Sequence, residues 1–142
     1  MLFRSQSDEK RLIVYRTPFS LVMLNRYPYS YAHLMIAPIR HVQDISKLGT
    51  EEMQDILHLV GKTITILKKA CCPNGFNVGM NLGRVGGAGI LHHLHFHVVP
   101  RWKGDVNFMP VLADVRIIPE HLQQTYHKLR LNFERLGKRK GP

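Results

Sequence analysis

Three histidines separated by single apolar residues, His93-Leu94-His95-Phe96-His97-Val98-Val99, are the part of this chain whose residue types and spacing bear most directly on chemistry. Read as a strand, the segment alternates faces residue by residue. Leu94, Phe96 and Val98 then turn to the core. His93, His95 and His97 line the opposite face, about 6.8 Å apart. Three readings of such a row compete. Local hydrogen bonding is the first, and strict alternation of three imidazoles argues against it. Metal binding is the second. On a regular strand the outer two rings stand about 13 Å apart, too far for one zinc with bonds of ~2 Å. A neighbouring pair aided by His33 or His41 would suit zinc better, but no nearby acidic residue completes a site, and no metal ligand is assigned. Covalent phosphate chemistry is the third. Near neutral pH imidazole is largely uncharged and can attack phosphorus, while its neighbours supply charge and hydrogen bonds.

The glycine loop just before the row favours this third reading. Gly83, Gly86, Gly87 and Gly89 lack side chains that would screen the backbone N–H groups, so the loop can ring a phosphate. A glycine loop alone is a weak signal. One that leads into a histidine row is a much stronger one.

The remaining sequence must position these residues. Residues 1–10 are polar and read as loose. Residues 11–16 and 20–25 read as strands split by Thr17-Pro18, and the tyrosine-rich stretch 26–32 as a turn. Residues 33–37 resume a strand that Pro38 ends. A helix is expected over 50–70, with Met53, Ile56, Leu57, Val60, Ile64 and Leu67 on its apolar stripe and Thr50 as N-cap. Residues 75–82 and 92–99 read as strands, the latter ended by Pro100. A last helix is expected over 119–135, with Pro119 in its first turn and Leu122, Tyr126, Leu129 and Phe133 as its stripe. The fold class is α+β, a mostly antiparallel sheet with helices packed on it.

Composition bounds the class. The chain has 142 residues, enough for one domain, and 44% hydrophobic with 21% charged residues marks an ordinary globular chain. No apolar run approaches the ~18–20 residues of a membrane helix. The first ten residues carry charges where a signal peptide has its apolar core, so secretion is not expected. The two cysteines, Cys71 and Cys72, are adjacent, which excludes a disulfide framework and fits a reducing cytoplasm. The net charge is +10, three units of it in the tail Lys138-Arg139-Lys140. That balance suits polyanionic partners. A non-catalytic nucleotide- or RNA-binding role is therefore one alternative, although an RNA binder displays more stacking aromatics than the tyrosines at 27, 29 and 31.

The motif HLHFHVV resembles the signature of the histidine triad (HIT) family, and the likeness runs over roughly residues 11–135. LNRYPYSYAHLMIAPIRHV (24–42) resembles the family's nucleotide-binding hairpin. GFNVGMNLG (75–83) resembles the strand before its phosphate loop. PRWKGDVNF (100–108) is similar to a segment of prokaryotic diadenosine tetraphosphate phosphorylases. The resemblance implies one HIT domain over 1–142, with 137–142 a basic tail. It implies a five-stranded antiparallel sheet with two main helices, and a homodimer. It implies that His95 is the nucleophile, forming a nucleotidyl-histidine intermediate. His93 orients its surroundings, His97 contacts phosphate oxygens, and His33 stands behind the nucleophile. Asn25 binds ribose, while Asn81 and the loop Gly86, Gly87, Ala88, Gly89 bind phosphate. No tightly bound cofactor is implied; magnesium or another divalent cation enters with the polyphosphate.

Two departures from the family pattern refine the expectation. Many family hydrolases carry Gln and then Ser or Thr where this chain has Gly89 and Ile90. Loss of those polar contacts argues against plain hydrolysis, and small residues there resemble the phosphorylases, in which inorganic phosphate is the acceptor. The alternative is a hydrolase of dinucleoside polyphosphates or nucleoside phosphoramidates that releases AMP. The chain also lacks the N-terminal cysteine pair of many close relatives. Trp102 could stack on a base or pack at an interface. His92 is assigned to the opposite face, His121 and His127 to the surface of the last helix, and His41 and His58 have no assigned partner.

Overall fold

A computed structural model describes residues 6–28, 30–88, 93–105 and 119–138. Five strands, β1 (Ile13–Arg16), β2 (Ser20–Leu24), β3 (Leu34–Pro38), β4 (Gly75–Gly79) and β5 (Phe96–Arg101), form one sheet in the order β1-β2-β3-β5-β4. Every neighbouring pair is antiparallel. The helices are α1 (Gln6–Lys10), α2 (Thr50–Cys71) and α3 (Pro119–Gly137), and Ile45–Lys47 makes a 3-10 turn before α2. The α+β class and the five-stranded antiparallel sheet with two main helices are as expected. No helix among the described residues is long and apolar enough to cross a membrane.

The core lies between the sheet and the two long helices. Val22, Leu34, Ile36 and Val98 meet Ile56, Leu59, Ile66 and Leu67 of α2 and Tyr126, Leu129 and Phe133 of α3. β2 alternates as half-buried strands do: Ser20, Val22 and Leu24 face in, while Leu21 and Met23 are partly covered. α3 presents its expected stripe. α2 does not. Its buried residues are Ile56, Leu59, Thr63, Ile66 and Leu67, whereas Leu57 is 62% exposed and Met53 is also exposed. Apolar residues surround more than half of this helix, so two neighbouring stripes both satisfy a 3.6-residue period. The sheet covers the one that includes Thr63. The N-cap is Gly49, not Thr50, and Glu52 reaches back to accept from the Gly49 N–H at 2.8 Å. A left-handed Cys72 (φ 48°) closes the other end, ahead of Pro73.

Two further expectations are corrected. The polar N-terminus is not loose throughout, because Gln6–Lys10 forms a helical turn and a half. Its Asp8 is buried (3% exposed) and pairs with Arg16 of β1 at 2.7 Å. A five-residue helix has no periodicity to read, and only the β1 arginine makes the buried carboxylate tolerable. The last strand spans Phe96–Arg101, not 92–99. Pro100 lies within it, opposite Phe76, and its carbonyl accepts from the Ser30 hydroxyl at 2.8 Å. At the other end the chain leaves the ladder early, since the Leu94 N–H bonds to the Val42 carbonyl at 2.6 Å.

Candidate active site

The early end of β5 changes the geometry of the histidines. Only His97 lies on the strand, between Met35 of β3 and Gly79 of β4. His93 and His95 sit in irregular backbone just before it. Leu94 and Val98 are buried as expected, Phe96 partly so. The three imidazoles do not form an evenly spaced row. His95 and His97 approach edge to face with centroids 4.8 Å apart, whereas the His93 ring packs against His41 at 5.2 Å.

The β2–β3 hairpin delivers the fourth histidine. The Asn25 N–H bonds to the His33 carbonyl at 2.9 Å, and a left-handed Ala32 (φ 58°) turns the chain into β3. His33 is thereby fully buried. It lies against His97: His33 Nε2 and His97 Nδ1 are 2.8 Å apart, with ring centroids at 5.0 Å.

Hydrogen bonds fix the tautomers along this line. The Asn25 Oδ1 accepts from the Tyr27 N–H at 3.0 Å, which orients the amide. Its Nδ2 then donates to His33 Nδ1 at 3.4 Å. His33 must therefore carry its proton on Nε2 and donate it to His97 Nδ1. In the neutral His97 ring the remaining proton sits on Nε2. Burial, reinforced by His97 and His95, pushes His33 down to about 3. Burial and His95 also lower His97. Both rings are neutral near pH 7, so His95 faces no fixed positive charge from this side.

His95 is tied differently. It is 8% exposed, and its Nδ1 lies 3.0 Å from the His93 carbonyl. A carbonyl only accepts, so Nδ1 holds a proton, and in the neutral ring Nε2 then holds the lone pair. A neutral imidazole held in that tautomer is a nucleophile with a defined direction of attack.

The glycine loop is built as a turn and not as an open ring of donors. Asn81 Nδ2 donates to the Gly87 carbonyl at 3.3 Å. The Gly87 N–H bonds to the Arg84 carbonyl and the Ala88 N–H to the Gly83 carbonyl, both at 3.1 Å. These two N–H groups, expected to meet phosphate, are satisfied within the loop. Gly86 is dictated by packing, because a Cβ there would collide with the Leu82 carbonyl oxygen. Gly87 (φ 85°) needs the left-handed region. Gly89, Ile90 and His92 lie outside the described residues.

Trp102 donates its indole N–H to the Cys71 carbonyl at 3.3 Å and packs near Tyr31. Arg101 grips both oxygens of Asp105 at 2.8 and 2.9 Å, which holds that carboxyl down at about 2. His127, read as a surface residue, meets Glu9 of α1 at 3.3 Å. Among the described residues no cluster of three or more His, Cys, Asp or Glu side chains is arranged to hold a metal ion. His41, considered from sequence only as an aid to zinc and otherwise left without an assigned partner, has its Nδ1 3.2 Å from His93 Nδ1. It stands 52 residues from His93, and no local spacing signals the pairing.

Comparison with known proteins identifies the family. The HIT domain model matches residues 6–104. An AP-4-A phosphorylase of Mycobacterium tuberculosis is 40% identical over 129 residues, covering 91% of this chain and 66% of the relative. The chain thus spans just under two-thirds of that relative's length. An adenosine 5'-monophosphoramidase of Schizosaccharomyces pombe is 35% identical over 85 residues, 60% of each chain. Among solved structures, a histidine triad nucleotide-binding protein from Sulfolobus tokodaii superposes with a TM-score of 0.74 at 22% identity, covering 92% of this chain and 88% of that one. The triad, the hairpin that buries His33 and the sheet that carries His97 together place this chain in the HIT family.

Proposed function

We propose that the chain is a nucleotidyl transferase acting on dinucleoside polyphosphates, and that with diadenosine tetraphosphate and inorganic phosphate it yields ADP and ATP. The observation that carries this reading is the tautomer of His95: Nδ1–H held by the His93 carbonyl, with the Nε2 lone pair left to attack. His95 Nε2 bonds to the α-phosphorus, and the bond from that phosphorus to its bridging oxygen breaks. ATP leaves, and AMP stays on His95. A phosphate oxygen then attacks, the P–N bond breaks, and ADP departs with the imidazole restored. His97 supplies an Nε2–H donor to the phosphate oxygens, and the buried neutral His33 holds it in that state. Asn25 Oδ1 keeps a second lone pair for a ribose hydroxyl. Asn81 and the Gly86–Ala88 turn shape the phosphate side. Transfers of this kind need positioning and charge stabilisation above all.

The likeness to the mycobacterial phosphorylase supports phosphate as acceptor, as do Gly89 and Ile90 in place of Gln and a hydroxyl residue. The second reading, a hydrolase releasing AMP, is favoured by the likeness to the phosphoramidase. A homodimer and a divalent cation arriving with the polyphosphate belong to the same proposal, and the +10 charge would steer the substrate in. Purified protein is incubated with diadenosine tetraphosphate and magnesium, with and without inorganic phosphate, and the products are resolved. ADP plus ATP only with phosphate is the expected result. AMP plus ATP without phosphate would make the protein a hydrolase.

A further inference from the structure

The last residue of β3 and the segment that follows it touch the nucleophile's support at three points. The Pro38 carbonyl accepts from His93 Nε2 at 2.8 Å, His41 Nδ1 meets His93 Nδ1 at 3.2 Å, and the Val42 carbonyl accepts from the Leu94 N–H at 2.6 Å. Residue 93 is thus fixed by both ring nitrogens, and residue 94 by its backbone. The carbonyl of the same His93 accepts the His95 Nδ1–H.

Proton bookkeeping gives His41 a definite part. Pro38 offers only a carbonyl, so His93 Nε2 must be the protonated nitrogen. In the neutral His93 ring Nδ1 then holds a lone pair, and it can be satisfied only by a donor. His41 Nδ1–H is that donor. The His93 ring spans the gap between Pro38 and His41, and rotation about its side chain would break one contact or the other. The two contacts set where the His93 ring, and with it the His93 backbone, rests.

We propose that His41 is a positioning residue: through His93 it holds the carbonyl that keeps the His95 proton on Nδ1 and aims Nε2. This rests on the reading of His95 as the nucleophile. His41 touches no reacting atom, and its own ring is exposed, so its removal leaves the fold intact. Its loss loosens His93, and the His95 imidazole then samples the other tautomer and other directions.

The test uses the full chain in three variants. His41→Ala removes the ring, His41→Phe keeps bulk without a donor, and His41→Asn places an amide N–H where the imidazole Nδ1–H stood. Steady-state kinetics are measured on diadenosine tetraphosphate with phosphate, and the His95 tautomer is read by two-bond 1H–15N NMR on the labelled protein without substrate. The Ala and Phe variants are expected to lose about 10- to 100-fold in kcat, the scale on which small misplacements act, with KM within about threefold. Their His95 nitrogens shift toward a mixture of tautomers. The Asn variant recovers both readouts. Unchanged kcat and tautomer in Ala and Phe would overturn the proposal, as would loss in the Asn variant equal to that in Phe. If the wild type turned over no dinucleoside polyphosphate, the proposed function would fall. The tautomer shift and its rescue by Asn would then still decide the positioning role.

Discussion

Two imidazole pairs flank His95, and they differ in almost everything except chemistry. His33 and His97 are joined at 2.8 Å, and His33 is fully buried. His41 and His93 are joined at 3.2 Å on the exposed side. In the first pair burial decides the charge: His33 stays neutral down to about pH 3, and His97 is lowered as well. The second pair acts on its neighbour through a backbone carbonyl. The difference shows how one residue type performs two tasks. A buried ring sets an electrostatic background that does not respond to pH. A ring at the surface, pinned at both nitrogens, holds a direction.

The comparison can be broken most severely at its centre. His95→Gln removes the lone pair that both pairs serve. Turnover is expected to fall by on the order of 10⁴-fold or more, with little change in melting temperature. A variant retaining a tenth of wild-type turnover would show that the covalent step runs on another residue.

The buried pair is sharpened by stability against pH. Native His33 binds a proton only near pH 3, whereas in the unfolded chain it does so near its ordinary 6.5. Stability is therefore undiminished above about pH 6.5 and falls as pH drops toward 3, by at most about 1.4 kcal/mol per pH unit from this group. Urea denaturation at a series of pH values should show that slope in the wild type, and His33→Asn should flatten it. Glu52 and Asp105, held down at about 2 by Arg40 and Arg101, add their own loss as pH falls from their ordinary 4.5 and 3.8 toward 2, which overlaps the acid end of the His33 window. Identical slopes in wild type and variant would mean that His33 is already charged in the native state.

A smaller effect is expected one residue further out. Asn25→Ala removes both the donor to His33 Nδ1 and the acceptor of the Tyr27 N–H. The loss is expected near 1 kcal/mol, or about fivefold in kcat/KM. No change in kcat/KM would show that the hairpin orients His33 without the amide.

The sequence pointed to the site's residues more readily than to its geometry. The alternation from His93 to Val99 disclosed the triad and the buried Leu94 and Val98. It could not disclose that the strand begins at Phe96, because the competing partner, the Val42 carbonyl, is distant in sequence. Apolar spacing located α2 but put its stripe one position away, since Leu57 and Leu59 fit a helical period equally well. The glycines marked a loop correctly. That its Gly87 and Ala88 N–H groups close on the Arg84 and Gly83 carbonyls, respectively, is a matter of turn conformation, not composition. The pairings of Asp8 with Arg16 and of His41 with His93 were not legible for one reason: each joins residues from separate parts of the chain.

The ladder around β5 has a consequence for accuracy. His97 is held opposite Met35 on one side and Gly79 on the other, while the next residue, Val98, is fully buried opposite Leu34 and Val78. A slip of one position would drive the imidazole into oil and expose the valine. The core therefore works as a vernier for the histidines. The same apolar side chains that make the sheet cohere also index the ring, so an error in alignment is rejected as the sheet forms.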